Sequence, residues 1–316
     1  MKNLFLIITI CLLFSVSSYG QDNTLQVQPF FPEITLHFPN VRDLAISPLE
    51  NEMYFTAQSF QGELSALMYC TKKHGIWSKP EVAPFSGRFQ DLEPFFTPDG
   101  LRLFFASNRP IDINSTKSKD FDIWFVERKD TRSAWSNPIN LGEPVNTDGN
   151  EFYPSISKFN TLYFTSDGIK SKGKDDIFIS KWMNGKYESP QPVGDSVNSE
   201  GYEFNAFISP DEKFLLYTCY NKKGGLGSGD LYISYKKGSD QWTTPVNLGN
   251  QVNSPAMDYC PFVNMNSGTM YFTSKRSSVR KQFDKNLTII ELLDEVNKYE
   301  NGLSRIYQID IKSLIK

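Results

Sequence analysis

Four acids open successive units of an internal repeat, Asp91, Glu151, Glu203 and Asp258, and two arginines, Arg109 and Arg276, stand at a second matching position. In a ring of units, residues at one repeat position form a circle, so these carboxylates could line a channel mouth and hold a cation or a sugar hydroxyl. They could equally accept hydrogen bonds from the amides of the preceding loop and form a repeated joint, and repetition favours the joint. The arginines could clamp a ligand carboxylate bidentately or tie down their own loops. If they clamp a ligand, replacing both weakens binding and leaves stability nearly unchanged. A glycoside hydrolase needs only two carboxylates at a suitable separation, so that chemistry stays open. Other catalytic signatures are missing. The two histidines, His37 and His74, cannot build a three-His metal site, and there is no Gly-x-Ser-x-Gly elbow. The Gly-rich run Lys223 to Gly229 does not match a phosphate-cradling loop. No metal and no cofactor is expected.

The elements that carry these residues are short strands. From Asp91 to Asn150 the chain reads Asp91-Leu92-Glu93-Pro94, Thr97-Pro98-Asp99-Gly100, Leu103-Phe104-Phe105-Ala106-Ser107, Asp122-Ile123-Trp124-Phe125 and Trp135-Ser136-Asn137-Pro138. The next unit repeats it as Glu151-Phe152-Tyr153-Pro154, Leu162-Tyr163-Phe164-Thr165-Ser166 and Asp176-Ile177-Phe178. Four strands per unit at a period of a few tens of residues predict a β-propeller. Units start near Val41, Asp91, Glu151, Glu203 and Asp258, which implies five blades of four antiparallel strands; six is the alternative. The last unit carries an insertion, Val279 to Asn301, in which Ile289, Leu292, Leu293 and Val296 recur at helical spacing. It also lacks a closing strand before Lys316. A ring must close or expose two sheet edges, so Val27 to Leu36 is expected to supply that outer strand.

Composition limits the partners. The balance of 33 basic against 36 acidic residues leaves no electrostatic footprint for nucleic acid or an anionic membrane. Residues 1–20 read as a secretory signal peptide: one charge at Lys2, an apolar run from Leu4 to Phe14, and small residues at Ser18 and Gly20. That run is too short for a permanent span, and Cys11 lacks the context of a lipid-modified cysteine. Residues 21–316 are then a single propeller domain, exported to the periplasm or medium. Cys70, Cys219 and Cys260 remain after cleavage. Cys219 stands where other units have Ser, which suits a buried free thiol, and a Cys219–Cys260 pairing stays open.

The Ser/Thr-Pro-Asp-Gly turn, the Leu-Tyr-Phe-x-Ser strand and the Asp-Ile-Tyr/Trp strand together resemble the WD40-like PD40 repeats of TolB-type propellers. The closing runs Trp135 to Thr147 and Trp242 to Ser254 resemble the variant found in exported bacterial proteins of that group. The resemblance covers Val41 to Asp310 and implies a fold and a compartment more than an activity. Strand direction puts the long loops, Asn108 to Asp120, Gly168 to Lys174, Asn221 to Gly229 and Lys275 to Leu303, on one face, together with Arg109, Arg276 and the blade-start acids. Loops that differ from blade to blade on a rigid scaffold form one asymmetric site. The expectation is an exported, non-catalytic propeller that binds a protein or glycan of the cell envelope through this face. The alternative is a carbohydrate-active enzyme, a glycoside hydrolase or lyase, with carboxylates at the channel mouth.

Overall fold

The computed structural model describes residues 26–315 apart from 113, 169, 239, 240 and 313; the expected signal peptide, 1–20, lies outside them. Five antiparallel blades surround one axis. Their three inner strands are Asn40–Ile46, Glu52–Gln58 and Ser65–Lys73 in the first, then Asp91–Phe96, Arg102–Ser107 and Asp122–Glu127 in the second. The third has Glu151–Ile156, Leu162–Ser166 and Asp176–Ser180, the fourth Tyr202–Ile208, Phe214–Tyr220 and Gly229–Lys237, the fifth Asp258–Asn264, Thr269–Ser274 and Arg305–Asp310. Outer strands are two-residue pieces, such as Glu81–Val82, Ile139–Asn140, Gln191–Pro192 and Val246–Asn247. The core lies between blades, where alternate faces of neighbouring sheets interlock. The repeated Trp does part of this work: Trp135 of the second blade donates its indole N–H to the Tyr54 hydroxyl of the first at 2.9 Å. Trp242 of the fourth meets Tyr163 of the third edge to face.

The ring closes through the N-terminal segment. Gln28–Pro29 pairs antiparallel with the last strand, Gln28 opposite Gln308 and Pro29 opposite Tyr307, and the Phe30 amide adds a bond to the Ile306 carbonyl at 2.9 Å. The strand expected over Val27 to Leu36 is thus cut to two residues. Phe31 adopts a left-handed φ of 54° and Pro32 starts a helical turn, Pro32–Thr35. That turn buries Ile34 among Val41, Leu44, Tyr271 and Ile306, between the first and fifth blades. In the insertion, Ile289–Val296 is helical, with Thr288 and Glu291 forming a capping box. Its orientation reverses the usual one. Ile289, Ile290, Leu292, Leu293 and Val296 are exposed, and the buried residue is Glu295, bonded to Arg280 and Lys298. The three cysteines among the described residues, Cys70, Cys219 and Cys260, are buried free thiols, so Cys219 and Cys260 do not pair.

Each innermost strand bulges at its third residue from the blade start. Asp43, Glu93, Tyr153, Asn205 and Cys260 have φ between 49° and 62°, and each lies at a register shift against the second strand. A non-glycine left-handed residue costs of order 1–3 kcal/mol, so something must hold each one. In three blades the holder is a threonine of the preceding blade, whose hydroxyl accepts from the bulged amide: Thr273 from Asp43, Thr56 from Glu93 and Thr165 from Asn205, at 3.1–3.2 Å. The bond from the first blade to Thr273 of the fifth runs across the ring closure. In the second blade the threonine position is Ala106, and Glu93 replaces its hydroxyl: Glu93 Oε2 accepts from the Tyr153 amide at 2.7 Å.

Candidate functional site

The bulges bring a polar group to the axis. The Arg42 guanidinium donates to Asp43 at 2.7 Å, to Glu93 at 2.6 Å and to Cys260 Sγ at 3.3 Å. Asn205 donates to Glu93 at 3.1 Å and accepts from the Cys260 thiol at 3.3 Å. Asp43, Glu93 and Cys260 are all buried, and one ligating atom of each lies within 4.8 Å of the others. Two carboxylates and a thiol at that spacing could hold a cation, but the guanidinium already stands among them. Burial pushes the Glu93 carboxyl up, against the pull of Arg42, and pushes the Cys260 thiol far up, so the sulfur stays protonated.

Above this group, on the loop-rich face, opens a cavity of about 200 Å³ lined by the residue that follows each of the five blade starts, Arg42, Leu92, Phe152, Phe204 and Tyr259. Asp175 and Met257 complete its rim. The opposite mouth, among the Pro-Asp-Gly turns, is lined chiefly by Phe95, Phe207, Phe262 and aliphatic residues. The two ends of the axis therefore offer different chemistry, and Arg42 and the half-buried aromatics belong to the loop-rich end.

The six residues singled out from the sequence lie elsewhere, in the joints between blades, and none lines the axial mouth. Asp91 is fully buried and accepts from Ser107 at 2.6 Å, Ser86 at 2.7 Å and Arg109 at 2.5 Å. Glu151 accepts from the Thr147 hydroxyl at 2.7 Å and amide at 3.1 Å. Glu203 accepts from the Ser199 amide and hydroxyl, both at 2.7 Å, and lies 3.6 Å from the Lys222 ammonium. Asp258 accepts from Ser254 and from Arg276 at 2.9 Å. In these four blades the acid pairs across the ladder with a residue at or next to the end of the second strand, Ser107, Ser166, Cys219 or Ser274.

Arg109 and Arg276 are engaged inside the molecule. Arg109 Nε donates to Ser107 at 2.9 Å, its terminal nitrogen to Asp91 and the Phe85 carbonyl, and its guanidinium lies 5.0 Å from the Phe105 ring and 5.4 Å from Trp124. Arg276 repeats this arrangement with Ser274, Asp258, the Val252 carbonyl, Phe272 and Tyr307. The clamp expected for an external anion is closed on the chain's own carboxylates. Removing these side chains would leave buried acids unpaired, so the expectation that their loss spares stability gives way. The signal in the sequence was the constant spacing of acid and arginine, 18 residues in both blades. The axial residues Asp43 and Glu93 were missed because the five bulge positions share no residue type.

No family model matches the chain, and no curated protein matches it. Among solved structures, TolB from Acinetobacter baumannii is similar, with a TM-score of 0.45 and 15% identity over 85% of this chain. The match spans 54% of the TolB chain, so about half of its length. The catalytic domain of a Coprinopsis cinerea GH62 α-L-arabinofuranosidase matches with a TM-score of 0.48 and 10% identity, covering 90% of this chain and 96% of that one. A protein of unknown function from Dyadobacter fermentans matches with a TM-score of 0.46 and 12% identity, covering 80% and 79%. Among the described residues no helix is long and apolar enough to cross a membrane.

Proposed function

We propose that the protein is an exported, non-catalytic propeller that recognises a protein or glycan of the cell envelope through its loop-rich face, with the axial mouth at the centre of the contact. The observation that supports recognition over catalysis is the state of the acids under that mouth. Both Glu93 oxygens are occupied, by Arg42 and Asn205 on one side and by the Tyr153 amide on the other. A general acid or nucleophile for glycoside cleavage must face the sugar with its carboxyl free. Half-buried Phe152 and Phe204 beside Arg42 are instead the side-chain types that anchor ligands by flat apolar area and charge.

One observation favours the enzyme: Asp43 Oδ2 is buried without a hydrogen-bond partner, a few ångströms from Glu93. The two readings separate in one experiment. The purified protein is assayed for turnover of a panel of aryl glycosides and polysaccharides and, in parallel, on a glycan array and against envelope proteins. The binding reading expects no turnover, and a ligand whose retention falls when Phe152 and Phe204 are both changed to Ser. Turnover that disappears in Glu93→Gln would establish the enzyme instead. Export is checked separately, by a mature N-terminus at Gln21 in protein taken from outside the cytoplasm.

A further inference from the structure

We propose that the third blade carries a receptor slot for the arginine side chain of a partner polypeptide, bounded by Phe164, Phe178, Glu151 and Ser166. The chain itself displays the occupied form twice. In the second and fifth blades a guanidinium lies over an aromatic pair, bonds the serine that ends the second strand, and reaches the blade-start acid and a carbonyl six residues before it. Aligned on that serine, the third blade supplies the same parts. Phe164 and Phe178 match Phe272 and Tyr307, Ser166 matches Ser274, Glu151 matches Asp258 and Val145 matches Val252. The ring geometry agrees: centroids 5.9 Å apart at 29° in the third blade, 6.0 Å at 31° in the fifth. The arginine position alone differs. It is Gly168, and in place of the guanidinium there is a cavity of about 300 Å³ lined by all these residues.

The remaining blades support this reading. In the fourth, Lys222 lies 3.6 Å from Glu203 and over the Tyr232 ring, so a cation again meets the acid. In the first, the acid position is Val41 and the arginine position is Ser59, so charge and counter-charge are both lacking. Glu151 is the one blade-start acid that, among the described residues, has no cation. Lys170 lines the slot, but its ammonium bonds Ser189 and the Pro190 carbonyl. Burial pushes the Glu151 carboxyl up to about 7, as desolvation does to a carboxyl taken out of water. Asp122 adds to that shift, while Asp148 and Lys170 stand at the exposed rim. A guanidinium is preferred over an ammonium because its plane lies over the ring pair while its fork reaches serine, carboxylate and carbonyl together. That the donor is a polypeptide rests on the binding reading above; the chemistry of the slot does not.

The test is an NMR titration of the 15N-labelled protein with a capped Gly-Arg-Gly tripeptide, its citrulline counterpart and methylguanidinium, read at the Gly149 and Gly168 amides. Saturable shifts with the arginine peptide are expected, with citrulline weaker by roughly tenfold or more, since it lacks the charge. Gly168→Arg should abolish the response by filling the slot from within. If that variant fails to fold, Glu151→Gln should weaken arginine binding and leave the citrulline response unchanged. Equal binding of citrulline, unchanged binding in either variant, or no saturable shift would overturn the slot. Binding of methylguanidinium but not the tripeptide would overturn the polypeptide donor. None of these outcomes reads turnover, so the slot can fail while the non-catalytic reading stands, and the reverse.

Discussion

The joint at the start of the second blade and the joint at the start of the third are assembled from the same parts, an acid, a serine and two aromatic rings. They differ in whether the chain supplies the cation. Arg109 makes the second joint a closed structural unit, whereas Gly168 leaves the third open around a buried acid. A repeat fixes where charge is placed, and the residue two positions past the second strand decides whether that charge holds the fold or faces a ligand. The largest expected effect tests the closed joint. Arg109→Ala strands Asp91, which is fully buried, and should cost about 3–5 kcal/mol, measured as the shift in free energy of urea unfolding. Arg276→Ala should cost less, because the Arg276 side chain is 16% exposed against 10% for Arg109. A loss below about 1 kcal/mol for Arg109→Ala, the scale of a surface ion pair, would remove the structural half of the comparison.

The open joint should announce itself through pH. Burial raises the Glu151 carboxyl to about 7 in the folded protein, against roughly 4.3 in an unfolded chain. Between those values the folded state holds a proton that the unfolded state has released. The Glu151 contribution to stability is therefore fully present below about pH 4.3 and is lost as pH rises to about 7, by at most about 4 kcal/mol. Glu151→Gln should reduce the pH slope of stability in unfolding curves taken from pH 4.5 to 7.5, the remainder belonging to Glu93 and Asp175, which burial also raises. If wild type and variant show the same pH slope, Glu151 is not the unpaired acid described here. Gly168→Arg makes the third joint resemble the second. The new Cβ would meet only the Ser166 and Thr147 hydroxyls, at 3.1 and 3.5 Å, and Gly168 is not among the positive-φ glycines. A gain of roughly 1 kcal/mol at pH 8 is expected after the ordering of the side chain, and a loss would show that the slot does not accept a guanidinium from its own chain.

What the sequence disclosed follows the same division. Strand order, blade number and the need for N-terminal closure were legible because variants of the Leu-Tyr-Phe-x-Ser and Asp-Ile-Trp patterns recur from unit to unit, more loosely in the first, and edge closure is a general constraint. The extent of the closing strand was not, because Phe31 takes a left-handed turn that no periodicity marks. The acids Asp91, Glu151, Glu203 and Asp258 stood out as repeats, yet repetition marks joints. The axis is lined two residues later, where a bulge turns Asp43, Glu93, Tyr153, Asn205 and Cys260 inward, and five different residue types leave no pattern to read. The slot was invisible for a related reason: its signature is a glycine where two other units have arginine, and an absence carries meaning only once the surrounding rings and carboxylate are located.

The smallest expected effect concerns how the second blade differs from its neighbours at the axis. Three bulged amides are held by a threonine hydroxyl, but Ala106 has none to offer, and Glu93 accepts from the Tyr153 amide instead. If that substitution explains why an acid stands at the axis, a threonine at 106 should make the acid partly redundant. Ala106→Thr places a hydroxyl where Thr56, Thr165, Thr218 and Thr273 stand in the other blades. The cost of Glu93→Gln should then be smaller in the Ala106→Thr background than in the wild type by about 0.5–1 kcal/mol, the net worth of one neutral hydrogen bond. A double-mutant cycle on unfolding free energies measures that difference. Additive costs would mean that Glu93 serves Arg42 and Asn205 alone, and an acid kept at the axis for its charge, beside the unpartnered Asp43 oxygen, would move the balance toward catalysis.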